Sequence, residues 1–304
     1  MMEKVENLEE LWNVISIVTP TYNRGYCLRN LYDSLKQQTS MDFEWIIVND
    51  GSSDHTETIV KQWLREDSPF QIVYKKTENG GKHRAVNAAV KLACGEFIFI
   101  VDSDDILTND AVEKGIIWCR EIRDNNTFAG ISGRKAYKDG TKLGSFPEKT
   151  EYIDAKNTDR RRKHLGGDKA EIYKTNILKK YPFPEFPGEK FLPESVVWDE
   201  IAHAGYKIRW YKDIIYLCDY QADGLTLNIE NYVRNSFEGY SLAKNKSFHY
   251  LPFPYNWAAL VSYLDMAEKM GKKKEDVIKK MDINRVYYSI AYVMYRIRKI
   301  ISNK

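Results

Sequence analysis

Short apolar runs alternate with amphipathic stretches along the first third of the chain. The apolar runs, at residues 14–18, 43–48, 71–74 and 97–101, are rich in β-branched and aromatic residues and are followed by polar turns, which predicts β-strands. Between them, apolar residues recur every three or four positions, which predicts amphipathic helices. These helical positions are Leu28, Leu31 and Leu35, then Ile59, Val60, Trp63 and Leu64, then Ala85, Ala88, Ala89 and Leu92. The alternation predicts an α/β fold in which helices cover both faces of a largely parallel sheet.

The pattern loosens from about residue 125. A basic stretch at residues 159–163 leads into the sequence HLGGD at 164–168, and a proline-rich loop follows at 181–187. The pattern then predicts a helix over 197–204 and a strand over 208–211. After residue 228 it is aromatic and helical, and it ends in a basic helix over about 284–301. The chain therefore divides into three segments, 1–110, 111–228 and 229–304.

The composition is that of an ordinary globular protein. With 304 residues, of which 43% are hydrophobic and 29% charged, the chain is long enough to bury a core and too apolar for disorder. The net charge of +3 gives no reason to expect a nucleic-acid partner. The sequence starts without a secretory-signal pattern, and its longest strongly apolar run is too short to span a bilayer. We expect a cytoplasmic protein that at most lies on a membrane, with reduced thiols at Cys27, Cys94, Cys119 and Cys218.

Polar clusters follow all four predicted strands of the first third. They are TPTYN at residues 19–23, NDGSSD at 49–54, ENGGKH at 78–83 and DSDD at 102–105. In open α/β sheets, ligands bind beyond the carboxyl ends of the strands. The sequence therefore predicts one site built from these four clusters.

The DSDD cluster carries the strongest chemical signal. Carboxylates crowded behind a buried strand repel one another unless a cation neutralises them, and Mg²⁺ or Mn²⁺ binds carboxylates together with substrate phosphates. Helix capping explains only one of these acids, for which Asp105 is the candidate. Capping does not explain Asp102 and Asp104 on either side of Ser103. We therefore expect a metal site at Asp102 and Asp104.

The other three clusters fit a nucleotide. The Asp50 carboxylate only accepts hydrogen bonds and so suits the ring N–H of uracil or guanine, although in isolation an ordinary Asp-Gly turn explains it better. Amides and hydroxyls at residues 19–23 are placed to hold a nucleoside, with Tyr22 packed on the base. The glycines of ENGGKH let backbone approach a ligand, and Lys82 is placed to face the base, ribose or diphosphate, with Asn87 one helical turn further on.

Together, in this order and on these strand ends, the four clusters resemble the motifs of the inverting glycosyltransferase family 2, which has the GT-A fold. The resemblance implies that residues 1–110 form the nucleotide-sugar-binding half of a GT-A domain, 111–228 its acceptor-binding half, and 229–304 a helical extension. It also implies that Asp104, with Asp102, holds Mn²⁺ or Mg²⁺. The residues that it implies as nucleotide-sugar contacts are Thr19, Pro20, Tyr22, Asp50, Lys82, Asn87, Asp102 and Ser103.

The resemblance also implies a catalytic base in the acceptor half. Family members place an acid at the start of a helix, about a dozen residues before a glycine-aromatic-lysine turn. Here that turn is at residues 205–207, and the acid in register is Glu194, behind Pro193. Asp199 and Glu200 are rivals, but they lie beyond the first turn of such a helix. Gly167 and Asp168 resemble the family loop that approaches the acceptor.

These expectations combine into an inverting transfer of a sugar from a nucleotide-sugar, with uracil as the expected base, to a saccharide hydroxyl. The expected setting is the synthesis of a cell-envelope or capsular polysaccharide. A nucleotidyltransferase is an alternative, but it usually carries a glycine-rich basic loop after the first strand, and residues 19–24 are not one. A nucleotide-binding protein without turnover is the second alternative, against which the retained acids and Glu194 argue.

The basic C-terminal helix allows two interpretations. Its apolar residues form one stripe, and its positive charge is concentrated at the end. The stripe and the charge suit an anionic membrane interface and a lipid-linked acceptor. Alternatively, the stripe packs on the protein's own core and the basic end is merely solvated. The stripe consists of Val286, Ile290, Val293, Ile297 and Ile300, and the basic residues are Arg285, Arg296, Arg298, Lys299 and Lys304.

Overall fold

A computed structural model describes residues 14–218 and 229–302, and these contain one nine-stranded mixed sheet. The strand order is β3-β2-β1-β4-β8-β6-β9-β5, with β7 paired to another stretch of β9. The strands are β1 (Ile15–Thr21), β2 (Phe43–Asn49), β3 (Gln71–Lys76), β4 (Phe97–Ile100), β5 (Ile106–Leu107), β6 (Phe128–Tyr137), β7 (Tyr152–Ala155), β8 (Lys169–Lys174) and β9 (Lys207–Cys218).

The predicted parallel sheet is present in its N-terminal half. Strands β1 to β4 pair in parallel, with Ile15 opposite both Phe43 and Phe97. Beyond β4 the sheet is mixed, because β8 runs antiparallel to both β4 and β6. The sheet is thus less parallel than the sequence predicted. Strand β9 is also longer than the predicted strand over 208–211. This wider sheet brings side chains from β6, β8 and β9 beside the end of β4.

Helices cover both faces of the sheet, as predicted. Beneath one face, the helices pack around Trp45 and Phe99, and on the other they pack around Val18 and Ile46. The first set is α1 (Leu28–Lys36), α2 (Thr56–Trp63) and α4 (Ala111–Ile122). The second is α3 (Lys82–Leu92), α5 (Thr175–Lys180) and α6 (Ser195–His203). A short 3-10 turn, Asn157–Asp159, lies near α6.

The C-terminal helices form a small core of their own around Leu260 and Tyr263. They are α7 (Ile229–Asn235), α8 (Phe237–Tyr250), α9 (Tyr255–Lys269), α10 (Lys274–Met281) and α11 (Arg285–Ser302). Helix α8 packs on α6, and Glu189 accepts hydrogen bonds from the first amides of α8, those of Glu238 and Gly239. The C-terminal helices therefore support the segment that carries Glu194.

The apolar stripe of α11 faces solvent, so the interpretation that it packs on the core is wrong. Its five residues are 46–66% exposed, whereas Ala291 and Tyr295 are buried against the other helices. The small Ala291 side chain permits a close approach, and the hydroxyl of Tyr295 donates to Glu268. Among the described residues, no helix is both long and apolar enough to cross a membrane.

Candidate active site

The first two strand-end clusters form one hydrogen-bonded unit. The amide of Asn23 donates to the Ser52 hydroxyl at 2.9 Å, and the Asn23 side chain accepts from the Ser53 amide at 2.9 Å. The Asp54 carboxylate accepts from the Gly25 amide at 3.0 Å. Because Asn23 has a φ of 52°, it provides the left-handed turn that asparagine tolerates better than most residues. The ends of β1 and β2 are thus joined into a single rim.

Asp50 joins this rim to the third cluster. Its buried carboxylate accepts from the amides of Gly80 and Gly81, each at 2.8 Å, and from the Asn79 side chain at 3.1 Å. Burial raises the pKa of Asp50 above its ordinary value. Gly81 has a φ of 97°, and a Cβ there would lie 1.9 Å from the carbonyl oxygen of Lys190. The sequence suggested that these glycines admit a ligand, but Gly81 instead admits the protein's own backbone.

Two other predicted contacts also have partners within the protein. The Thr19 hydroxyl is fully buried and accepts from the indole of Trp45 at 2.9 Å. The Asn87 amide donates to the carbonyl of Phe183 and accepts from its N–H, which fastens the proline-rich loop to α3. The structure therefore gives both side chains tasks within the fold. Pro20 is buried within β1, while Tyr22 is 47% exposed beside it.

The centre of the site is a single ammonium group between two carboxylates. The Nζ atom of Lys82, at the start of α3, lies 2.5 Å from Oδ1 of Asp102 and 2.9 Å from Oε1 of Glu194. Lys82 comes from the third cluster, Asp102 from the fourth, and Glu194 from the start of α6 in the predicted acceptor half. The structure thus brings together three residues that the sequence selected separately.

The DSDD cluster is a turn between β4 and β5, so the interpretation of Asp105 as a helix cap is wrong. Helix α4 begins only at Ala111, after Asp110. Asp105 instead accepts from the hydroxyl of Tyr216, which itself accepts from the amide of Asp102. This bridge anchors the turn to β9, and burial with the neighbouring Asp102 charge raises the pKa of Asp105 to about 6. Ser103 is also buried in the turn.

The carboxylates of this turn suit a divalent cation that is completed by a substrate. Burial and the negative charge of Asp102 raise the pKa of Asp104, whose nearest cation is Arg24 at 3.8 Å. Neighbouring carboxylates of this kind are typical Mg²⁺ or Mn²⁺ ligands when substrate phosphates supply further oxygens. Within the described residues, no three acidic, histidine or cysteine side chains converge as a wholly protein-built metal site requires. The donor set therefore fits a metal that arrives with a diphosphate.

Glu194 is the acid that faces this centre, and its rivals do not. Asp199 is 4% exposed and accepts from Asn157 at 2.7 Å, and burial raises its pKa to about 6. Glu200 pairs with Lys246 at 2.6 Å on the side of α6 that faces α8. The side chain of Glu194 is 40% exposed and lies at the position preceding α6. Its place at the helix start agrees with the prediction.

The loop that was predicted to approach the acceptor is held by an arginine that the sequence did not single out. Gly167 and Asp168 are exposed, and Gly167 has a φ of 80°. Arg160 donates to the carbonyl of Gly167, lies 3.6 Å from Glu171, and stacks over the Trp210 ring at 4.9 Å. This arginine therefore ties the exposed loop to the sheet.

Further charged groups near the centre come from strands that the sequence did not place. Lys135 on β6 lies 4.1 Å from the centre of the Tyr216 ring, and its charge acts on Asp102. The side chain of Glu171 on β8 is 13% exposed, and the charges of Arg160, Lys135 and Glu194 all act on it. Both strands carry other charged residues, Arg134 on β6 and Lys169 and Lys174 on β8, so charge alone did not single out Lys135 or Glu171.

The fold has solved counterparts. Staphylococcus aureus TarS 1–349 in complex with UDP-GlcNAc superposes with a TM-score of 0.59 and 21% identity, covering 84% of this chain and 72% of that one. The mannosyltransferase PcManGT from Pyrobaculum calidifontis, in complex with GDP-Man and Mn²⁺, gives a TM-score of 0.54 and 16% identity, covering 95% of this chain and 91% of that one. These likenesses confirm the predicted GT-A fold with a helical C-terminal region.

The family described as glycosyl transferase family 2 matches residues 16–181, more than half of the chain, and the chain belongs to that family. The putative teichuronic acid biosynthesis glycosyltransferase TuaG of Bacillus subtilis is 35% identical over 149 residues, which cover 48% of this chain and 58% of that protein. The poly(ribitol-phosphate) beta-glucosyltransferase of Bacillus spizizenii is 32% identical over 145 residues, which cover 46% of this chain and 22% of that protein. The chain thus spans less than two thirds of each relative.

Proposed function

We propose that this chain transfers a sugar from a UDP-sugar to a saccharide hydroxyl, with inversion at the anomeric carbon, in the synthesis of a cell-envelope polysaccharide. One observation carries the proposal: Lys82 joins Glu194 to Asp102, so the candidate base and the candidate metal ligand lie within one side chain of each other. A transferase needs this convergence, because the attacked carbon lies between the acceptor hydroxyl and the departing diphosphate.

Each residue then has a defined task. Asp102 and Asp104 would hold Mn²⁺ or Mg²⁺, and the bound ion would supply positive charge to the diphosphate leaving group. Tyr22 packs on the base, and Asp50 fixes the loop from which Lys82 projects. The acceptor oxygen bonds to the anomeric carbon while the bond from that carbon to the diphosphate oxygen breaks, and Glu194 takes the hydroxyl proton. Because the acceptor approaches opposite the leaving group, the configuration inverts.

The choice of UDP and of a cell-envelope product rests on relatives. A TarS structure holds UDP-GlcNAc, and the names of TuaG and of the Bacillus spizizenii enzyme refer to teichuronic acid and poly(ribitol-phosphate). PcManGT, which holds GDP-Man, shows that this fold also accepts guanine. Release of nucleotide from a panel of UDP- and GDP-sugars, with saccharide acceptors, tests the donor. Release of pyrophosphate from a nucleoside triphosphate and a sugar phosphate would instead indicate a nucleotidyltransferase.

The metal assignment is tested by calorimetry with UDP and Mn²⁺. We expect Asp104→Ala to abolish metal-dependent UDP binding and transfer while the fold persists, because the turn is held by Asp105 and Tyr216 rather than by Asp104. Asp67→Ala, at an exposed carboxylate far from the turn in sequence, is the control and keeps both activities. Equal UDP affinity in Asp104→Ala and the parent chain would refute the assignment.

We further propose that the exposed face of α11 lies on the anionic cytoplasmic leaflet and that the acceptor is lipid-linked. The exposed stripe provides apolar side chains that can enter the bilayer surface. Arg285, Arg296 and Arg298 would each contribute about 1 kcal/mol to binding an anionic membrane. Lys299 is engaged with Glu268, and Lys304 lies outside the described residues.

Flotation with phosphatidylglycerol vesicles tests this surface. The parent chain is expected to float at low salt and to be released partly at high salt, because charge screening removes only the electrostatic contribution. The double variant Val293→Asp and Ile297→Asp is expected to stay in solution. Ile117→Asp, at an isoleucine of α4 that is 51% exposed, is the matched control and should float. Flotation of the double variant at parental levels would remove the membrane role.

A further inference from the structure

Lys82 is placed for the site rather than for its helix. It is the first residue of α3, where the positive end of the helix dipole disfavours a cation. Two carboxylates neutralise its ammonium group, that of Asp102 at 2.5 Å and that of Glu194 at 2.9 Å. These two acids lie 92 positions apart in the sequence. Its side chain is 29% exposed, so the group is accessible to a ligand that enters the site. The helix therefore does not explain this lysine, whereas the two carboxylates do.

The same ammonium group contacts the Asp102 carboxylate oxygen that a metal ion would need as a ligand. Oδ1 of Asp102 contacts Nζ of Lys82, and Lys135 adds a second positive charge near that carboxylate. Asp104 faces Arg24 at 3.8 Å on the other side of Ser103. A divalent cation that entered next to Asp102 would meet these positive charges at short range, and like charges so close repel strongly in a partly buried site. Metal and lysine therefore compete for Asp102.

We propose that Lys82 is a positioning residue that holds Asp102 and Glu194 together while the donor is absent, and that a divalent cation displaces it from Asp102. This inference rests on the proposed donor and metal. The displaced ammonium keeps Glu194 as a partner and gains the oxygens of the incoming diphosphate. Metal alone therefore binds at the cost of the ion pair between Lys82 and Asp102. When metal and nucleotide bind together, Lys82 exchanges that ion pair for a new one with the diphosphate. The two ligands should consequently bind cooperatively, and the coupling should depend on Lys82.

Mn²⁺ titration of the full chain, with and without UDP, tests this competition without any turnover. In Lys82→Met, Mn²⁺ alone should bind at least about tenfold more tightly than in the parent chain, or about 1.4 kcal/mol, because its competitor is gone. The effect of UDP on Mn²⁺ affinity should shrink in parallel. Lys82→Gln, which keeps a polar end, provides a second neutral variant. Lys91→Met removes an exposed lysine from the other end of α3 and should change neither value.

Transfer kinetics add a readout that separates positioning from folding. Lys82→Met should lower kcat, and Lys82→Arg should restore part of it, because arginine also carries a cation that can pair with both carboxylates. Unchanged Mn²⁺ affinity in both neutral variants would overturn the proposal, and so would loss of Mn²⁺ binding in them, since the lysine would then assist the metal. If Mn²⁺ binds to no variant and not to the parent, the metal assignment itself fails and this inference fails with it.

Discussion

The sharpest test of the proposed chemistry is Glu194→Gln, which exchanges one carboxylate oxygen for an amide nitrogen without changing the shape of the side chain. The remaining amide oxygen can still accept the hydrogen bond from Lys82 that spans 2.9 Å in the parent chain. The variant loses the charge of a partly exposed ion pair, which contributes about 1 kcal/mol or less, a factor of about five. Loss of a general base lowers the rate by about 10²–10⁴, or about 3–5 kcal/mol. The chemical effect should therefore exceed the positional effect at least tenfold.

Steady-state transfer at saturating donor and acceptor measures this loss in kcat, and calorimetry with UDP and Mn²⁺ checks that the donor site is intact. Asp199→Asn is the matched control, because it neutralises a carboxylate on the same helix that already lies buried against Asn157. We expect Asp199→Asn to retain transfer within a few-fold. If Asp199→Asn abolishes transfer while Glu194→Gln retains more than about a tenth of it, the assignment of the base is refuted.

Three further variants test the structure around the site. Asn87→Ala should lower the free energy of unfolding, measured in urea, by about 2–4 kcal/mol, because it leaves Phe183 backbone groups unpaired. Donor affinity, measured by calorimetry, should change little. If Asn87 instead contacts the donor, the variant should lose donor affinity and keep its stability. Gly81→Ala should prevent folding or shift the loop, seen as loss of UDP binding, because its Cβ would meet the Lys190 carbonyl oxygen. The pKa of Asp199 is raised to about 6, so its ionisation destabilises the fold as pH rises from about 4 to 6. Asp199→Asn should therefore gain up to about 3 kcal/mol over the parent at pH 7 and nothing below pH 4, measured by urea unfolding.

The donor side of the site could be predicted from the sequence because it is local. Each cluster follows its own apolar strand, and parallel strands bring their carboxyl ends to one edge regardless of finer register. The meeting of Lys82 with Glu194 could not be predicted, since it depends on how α6 packs after the sheet has turned antiparallel at β8. Lys135 and Glu171 were missed for the same reason, because strand pairing decides which face of β6 and β8 looks into the site.

The orientation of α11 shows a second limit. Two of its faces are apolar, one of them built from branched residues and the other from Tyr288, Ala291 and Tyr295. Periodicity identifies the stripe of branched residues but does not say which face meets α9. The small Ala291 and the tyrosine hydroxyl bonded to Glu268 determine the outcome, and both depend on a partner helix.

The attachment of α8 to the Glu189 carboxylate has a consequence for building chimeras of this chain. The family likeness ends at residue 181, before Glu194, while the helix that starts behind Glu194 is braced by α8. A chimera cut at that boundary would keep this chain's proposed donor site and import a foreign candidate base, whereas a cut inside 189–239 would separate Glu194 from the helix that supports it. Grafting should therefore succeed only when the proline-rich loop, α6 and the C-terminal helices are exchanged together as one unit.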